Sequence, residues 1–178
     1  MGVSVINGVS ADPSTDVWAV GGLTGGGTTS LHWNGQTWSQ IPTARLRSGG
    51  VVAVTALSTT NVWAVGTGPG VARGGFSAHP TAVIEHWDGT SWSVVPSPNP
   101  NPQGNNSLVA VAAVSANDIW AVGHQLLGPF TEHWDGNTWS IVTTPSGVAS
   151  LIGITAISDG AVVAVGQGTN GSAVILHN

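Results

Sequence analysis

The sequence predicts an all-β fold, and three observations carry that prediction: a fourfold internal repeat, recurrent Asn-Gly and Asp-Gly turn pairs, and strand-sized apolar runs. "DVWAVGG" at 16–22 returns as "NVWAVGT" at 61–67 and "DIWAVGH" at 118–124, and in degenerate form as "AVVAVGQ" at 161–167. "LHWNGQTWSQIP" at 31–42 returns as "EHWDGTSWSVVP" at 85–96 and "EHWDGNTWSIVT" at 132–143, and begins again as "LHN" at 176–178. Ahead of each WAVG stretch stands a run of small apolar residues: "VSVINGVS", "VVAVTALS", "LVAVAAVS" and "LIGITAIS". Four-stranded units of about 45–55 residues are the signature of a β-propeller. The expected class is therefore all-β, a β-propeller or partial propeller of about four blades of four antiparallel strands, the last blade lacking its outer strand. The repeats fall at approximately 3–43, 50–97, 107–144 and 150–178, within one domain spanning 1–178.

Each unit reads as strands A to D. Strand A is the Val/Ala run, whose small side chains suit the crowded centre of a ring. A short turn leads to strand B, the VWAVG segment. Both strands are apolar at nearly every position, as expected of sheets covered on both faces by neighbouring blades. Strand C ends at His-Trp. An Asn-Gly or Asp-Gly pair then turns the chain into strand D; such pairs favour a type I′ turn with positive φ at both central residues. All nine Trp fall into this scheme, three in each of the first three repeats. Each buries about 150–250 Å² when packed, so these rings are expected to fill the wider outer part of the blade interfaces.

Composition narrows the function. Three Arg, no Lys, six Asp and two Glu give a formal charge of -5. Without a basic stripe, neither nucleic acid nor an anionic membrane surface is an expected partner. No apolar run approaches the roughly 20 residues that span a bilayer as a helix. Cysteine is absent, which removes disulfides and thiolate metal sites. No charged n-region and apolar h-region follow Met1, so no classical signal peptide is expected in this chain. Localisation stays open, secreted or cell-surface if the chain is part of a longer protein.

The alternation of "VSAxxxxDVWAVG" with "HWDGxxWSxVPSP" resembles repeats of bacterial β-propeller proteins, many of them secreted. The D-G-x-x-W hairpin is also similar to the Asp-box of sialidase-like and sortilin-like propellers, although Asp88-Gly89 and Asp135-Gly136 are adjacent where the Asp-box places a residue between them. The resemblance spans essentially the whole chain and implies the fold. It does not imply one function, because propellers carry lectins, enzymes and scaffolds alike.

Repetition itself separates structure from chemistry. His32, His86, His133 and His177 occupy one place in successive repeats, on strand C away from the axis, so they are expected to hydrogen-bond between blades or to a turn rather than share a metal ion. Glu85 and Glu132 correspond to Leu31 and Leu176, which suggests a tolerant, outward and partly exposed position. Asp16, Asn61 and Asp118 precede strand B and read as turn residues bonding their own backbone.

Function is expected where the repeats disagree. In a four-stranded meander the A–B and C–D connections lie on one face, and the B–C and D–A connections on the other. The second set holds every long insertion, at 22–30, 42–50, 67–82, 96–107 and 124–130. Arg45, Arg47, Arg73, Phe76, His79, His124 and Phe130 fall there and are the candidate ligand-binding residues. No catalytic residue, metal or cofactor is assigned. The chain has no Tyr to act as a sialidase-type nucleophile, and no pair of carboxylates on the loop face. The expected function is a non-catalytic binding or scaffold module for a glycan or a protein; the alternative is part of a sialidase-like or other glycan-processing enzyme. Three modes of closure stand open: a segment of a longer propeller, a homodimer completing an eight-bladed ring, and a four-bladed monomer.

Overall fold

The computed structural model describes residues 2–12, 15–24, 27–46, 48–71, 79–101, 105–157 and 160–178. Blade 1 comprises β1 (Val3–Ala11), β2 (Val17–Leu23), β3 (Thr28–Trp33) and β4 (Trp38–Ile41). Blade 2 comprises β5 (Gly50–Ser58), β6 (Asn61–Val71), β7 (His79–Trp87) and β8 (Trp92–Val95). Blade 3 comprises β9 (Ser107–Ser115), β10 (Asp118–Gln125), β11 (Gly128–Trp134) and β12 (Trp139–Val142). Blade 4 has three strands, β13 (Val148–Ala156), β14 (Val162–Gly168) and β15 (Ala173–His177). Every blade is an antiparallel meander in chain order.

The A strands line one edge of the stack. β1 packs on β5, β5 on β9 and β9 on β13, while the D strands lie at the opposite, outer edge. No comparable packing joins blade 1 to blade 4 among the described residues. The chain is therefore an open arc of a propeller, and the four-bladed closed ring is not its form. This explains where the expectation of two-sided burial fails. β5 and β9 are largely covered, whereas β1 and β13 expose apolar side chains because their blades have a neighbour on one side only.

Two apolar layers hold the first three blades together. Trp18, Val20, Val51, Val62, Ala64 and Trp92 fill the space between blades 1 and 2. Trp63, Val65, Ile84, Leu108, Ile119 and Trp139 do the same between blades 2 and 3. The tryptophans are mainly packing elements, as expected. Trp38, in the C–D hairpin of blade 1, is the exception at 50% exposure.

The glycine of WAVG has a steric origin. In each blade strand A carries a bulge beside this glycine, with register breaks at Ile6/Gly8, Val51/Ala53 and Leu151/Gly153 and, in blade 3, between Leu108 and Ala110 opposite Gly123 and Val122. The bulge drives a strand A carbonyl into the space a side chain would need: Val5 O at Gly21, Gly50 O at Gly66, Ser107 O at Gly123 and Ser150 O at Gly166.

The C–D turns differ from the expected type I′. Trp33 pairs with Trp38, Trp87 with Trp92 and Trp134 with Trp139, leaving four-residue connections. Only the glycine has positive φ, +91° at Gly35 and +96° at Gly89 and Gly136. The residue before it works through its side chain instead. Asp88 Oδ1 accepts the N–H groups of Thr90 at 2.8 Å and Ser91 at 2.9 Å, and Asn34 and Asp135 repeat the pattern. A side-chain oxygen thus replaces the second positive φ. The Thr90 hydroxyl, followed by these amides, holds the Asp88 carboxyl down to about 2.

Gly66→Ala is expected to destabilise the fold by about 1–3 kcal/mol, as overpacking against backbone does. Chemical denaturation of the variant checks this, and wild-type stability would refute the steric role given to the bulge.

Candidate functional site

The loop-face candidates divide sharply. Arg47, Arg73 and Phe76 lie outside the described residues. Arg45 is exposed on the connection between β4 and β5, and His79 is exposed at the start of β7, paired with Val71. His124 is exposed near the end of β10. Phe130 is not a loop residue. The β10–β11 hairpin turns at Leu126-Leu127, so β11 begins early and Phe130 sits opposite Gly123, 3% exposed in the core between blades 2 and 3. Its expected ligand role is therefore corrected to packing.

His124 does belong to a cavity. A cleft of about 520 Å³ opens on this face, where Thr67, His124 and Gln125 meet Asn105, Asn106 and Ser107. Pro80, next to His79, and Leu126 complete its walls; Arg45 is not part of it. The asparagines come from the connection 96–107, whose run of Pro and Asn reads as a plain loop. They are instead organised from within. Asn106 is almost fully buried; its backbone N–H donates to Pro80 O at 3.0 Å and its side-chain amide to Asn101 O at 2.6 Å. Asn99, at φ 48°, accepts the Ala82 N–H at 2.7 Å. Asn105 also has positive φ, at 49°. Between the blades, the Thr67 and Ser107 hydroxyls bond at 2.5 Å. The cleft therefore offers amide, hydroxyl and imidazole groups on a pinned backbone, beside the exposed Leu126 and Leu127. The density of Asn in this connection was the available signal for Asn99, Asn105 and Asn106.

The repeated polar residues build a different device. Trp18 stacks on His32, Trp63 on His86 and Trp120 on His133, with centroids 4.4, 4.3 and 4.2 Å apart. In each pair both ring N–H groups converge on one side chain ahead of strand B. Asp16 bonds Trp18 Nε1 and His32 Nε2. Asn61 Oδ1 lies 2.8 Å from Trp63 Nε1 and 2.9 Å from His86 Nε2. Asp118 Oδ1 lies 2.6 Å from Trp120 Nε1 and 2.9 Å from His133 Nε2. These residues thus bond rings, not their own backbone, which corrects the turn reading. The histidines do meet a turn, within their own blade. An Asp–His pair supplies two of the three members of a hydrolytic triad. Here, however, the imidazole is stacked on indole and Asn61 serves in the same role, so the arrangement is one of support. Among the described residues no three His, Asp or Glu side chains gather as a metal site requires.

Glu85 and Glu132 are buried completely, at 0% exposure, against the expectation of an outward position. Strand C presents them to the D–A connection of the preceding blade. Glu85 accepts the Ala44 N–H at 3.0 Å and Glu132 the Ser97 hydroxyl at 2.9 Å. One oxygen of each carboxyl is left without a partner. Burial pushes both carboxyls up to about 7 against a fall caused by these bonds. Leu31 stands at this position in blade 1.

A carboxyl with a folded pKa above its unfolded one favours the fold while protonated. Relative to a Glu85→Gln/Glu132→Gln variant, wild-type stability should be greatest below pH 4.5 and fall as pH rises towards 7. The comparison isolates these groups from His86, whose burial lowers its pKa and whose contribution runs the other way. Denaturation curves across that window test this, and a constant difference would exclude the assignment.

No protein-family model and no curated protein sequence match this chain. Solved structures do. YCF48 from Cyanidioschyzon merolae is 18% identical with a TM-score of 0.63, over 97% of this chain and 50% of that one. YCF48 bound to a D1 peptide is 18% identical with a TM-score of 0.56, over 91% and 46%. A mercury-derivative form of the fucose-specific lectin from Aleuria aurantia is 14% identical with a TM-score of 0.60, over 91% and 52%. At these identities the likeness establishes the propeller fold, and the chain spans about half the length of the structures it matches.

Proposed function

From this propeller arc, we propose a non-catalytic binding module that engages a glycan or a protein through the face bearing the B–C and D–A connections, at the cleft between blades 2 and 3. The cleft carries the reading: it gathers Asn105, His124 and Gln125 from connections that differ in every repeat, on blades that otherwise repeat closely. An extended polypeptide is the favoured ligand. The side-chain amides suit main-chain N–H and C=O groups, and Leu126 and Leu127 suit its apolar side chains. Among the described residues no exposed aromatic ring borders the cleft to stack on a sugar. A neighbour bound to a peptide supports this choice, and a fucose-specific lectin supports the glycan alternative. A sialidase-like enzyme has less support, since the chain lacks Tyr and its glutamates are enclosed between blades.

Screening the protein against a random-peptide display library and a glycan array tests this. Peptide binders should lose about tenfold or more in affinity on His124→Ala with Leu126→Ser, a loss of ~1.4 kcal/mol, while thermal stability holds. Peptides that bind equally to that variant would sink the cleft as the site; glycans as the sole binders would sink the polypeptide reading.

The open arc also needs its end faces covered. Ile6 and Val9 on blade 1 and Ile152 and Ile175 on blade 4 are exposed apolar residues on blades that lack one neighbour. We infer that a second copy covers them and completes an eight-bladed ring, continuing the blade-on-blade interface already present three times. Light scattering should give twice the chain mass, and Ile175→Asp should halve it. A monomer at all concentrations would overturn the homodimer.

A further inference from the structure

Glu85 and Glu132 are both enclosed, yet they hold different things. Glu85 bonds Ala44, and no residue of that connection lines the cleft. Glu132 bonds Ser97, and the far end of the same connection supplies Asn105, Asn106 and Ser107 to the cleft. Hydrogen bonds run from one end to the other. The Asn99 side chain donates to Ser97 O at 3.1 Å and accepts the Ala82 N–H at 2.7 Å. The Asn101 N–H donates to Asn106 Oδ1 at 3.3 Å, and the Asn106 side-chain amide donates back to Asn101 O at 2.6 Å. The Asn106 N–H then reaches Pro80 O at 3.0 Å. Two main-chain groups of β7 are thus clamped by one connection, and Pro80 is itself a wall of the cleft. Ala82 pairs with Thr67, whose hydroxyl bonds Ser107 across the blades.

The root of this clamp is a carboxyl with half its bonding unmet. Glu132 Oε1 accepts the Ser97 hydroxyl, while Oε2 is buried with no partner. A neutral carboxyl bears that as one unmatched polar atom. A carboxylate in the same place is a charge cut off from water, which costs far more. Water reaches it when the segment packed over it lifts, and lifting Ser97 and Asn99 frees Ala82.

We propose that Glu132 is a proton-operated latch on the cleft: protonated, it keeps the connection seated on β7 and the cleft wall ordered; ionised, it releases both. The consequence for ligands rests on the reading of this cleft as the binding site, and the latch itself does not. A polypeptide that fits the ordered wall favours the seated state, so binding and proton uptake assist each other.

The surrounding elements place few other titratable groups near this latch. β7 carries His79, Glu85 and His86, β10 carries Asp118 and His124, and β11 carries His133; β8, β9, β12, β13 and the connection at 96–107 carry none. Asp118 and His133 bond each other, His86 bonds Asn61 and Glu85 bonds Ala44. Burial pushes the Glu132 carboxyl up from 4.5 to about 7, against the Ser97 hydroxyl and the Asn99 main-chain amide, which lower it. With the connection lifted, the carboxyl returns towards its ordinary value. The proton therefore favours the seated state fully below pH 4.5, and that advantage is lost as pH rises to about 7.

Amide hydrogen exchange of the unliganded full chain tests the latch without any ligand. Protection of the Ala82 and Asn106 amides, corrected for intrinsic exchange, should be about tenfold or more higher at about pH 5 than at about pH 8. Amides within β2 serve as the reference for opening of the whole fold, and should change less. Glu132→Gln should remove the pH dependence at Ala82 and Asn106. Glu132→Leu, which places there the residue found at Leu31, should do the same and guards against a fault peculiar to the amide. Glu85→Gln should leave it in place. Wild-type protection that ignores pH, a dependence that survives both Glu132 variants, or an equal change in β2 would each overturn the latch. If the exchange pattern holds but peptides bind away from His124, the latch stands and the cleft reading fails.

Discussion

The stack of Trp and His rings held by one Asp or Asn at the start of strand B is the interaction on which the rest of this protein depends. An indole and an imidazole in contact form a broad flat surface, and their two N–H groups need an acceptor. Asp16, Asn61 and Asp118 supply it, and so fix strand C relative to strand B within the blade. The flat surface then receives the two tryptophans of the next hairpin. Blade 2 thereby both caps blade 1 and offers a socket to blade 3. The stacking is directional: the hairpin of the later blade packs on strand B of the earlier one.

The buried glutamates belong to the same logic. The D–A connections must cross between blades, where their backbone groups leave water. A carboxyl from the following blade accepts the Ala44 amide in one case and the Ser97 hydroxyl in the other. Enclosing an acid with one oxygen unpartnered is costly, which is why burial raises the carboxyls towards 7. The gain is a connection fixed at its root. From such fixed roots the variable loops project, so the cleft at Asn105 and His124 sits on a backbone already constrained before any ligand arrives.

Much of the fold was legible because each repeat states its rule again. The positions of the strands, the four-stranded meander and the packing role of most Trp all follow from spacing alone. Within the candidate site, His124 was legible from its place on a variable connection. Phe130 was misread because the hairpin before it turns at Leu126-Leu127 alone, where its composition suggests a loop over 124–130, and that shortening places the ring within β11. Asn99 and Asn106 were hidden in a Pro-rich stretch, where a side chain that organises backbone looks the same as one that faces solvent. The glutamates misled for another reason: a Leu at the matching position signals burial when no polar group must be met, yet it reads as tolerance.

By itself the sequence determined the architecture, because period, turn residues and apolar runs are local properties that survive without knowledge of neighbours. It also determined which face varies, since strand order in a meander assigns connections to faces. Only the tertiary structure decided that Glu85 and Glu132 are enclosed, that Asp16 and its counterparts bond rings, and that among the described residues blade 1 does not pack on blade 4 as neighbouring blades do. Each of these is a relation between residues of different blades or distant strands. Which groups end up close across an interface depends on the angle at which blades stack, and no single repeat encodes that angle.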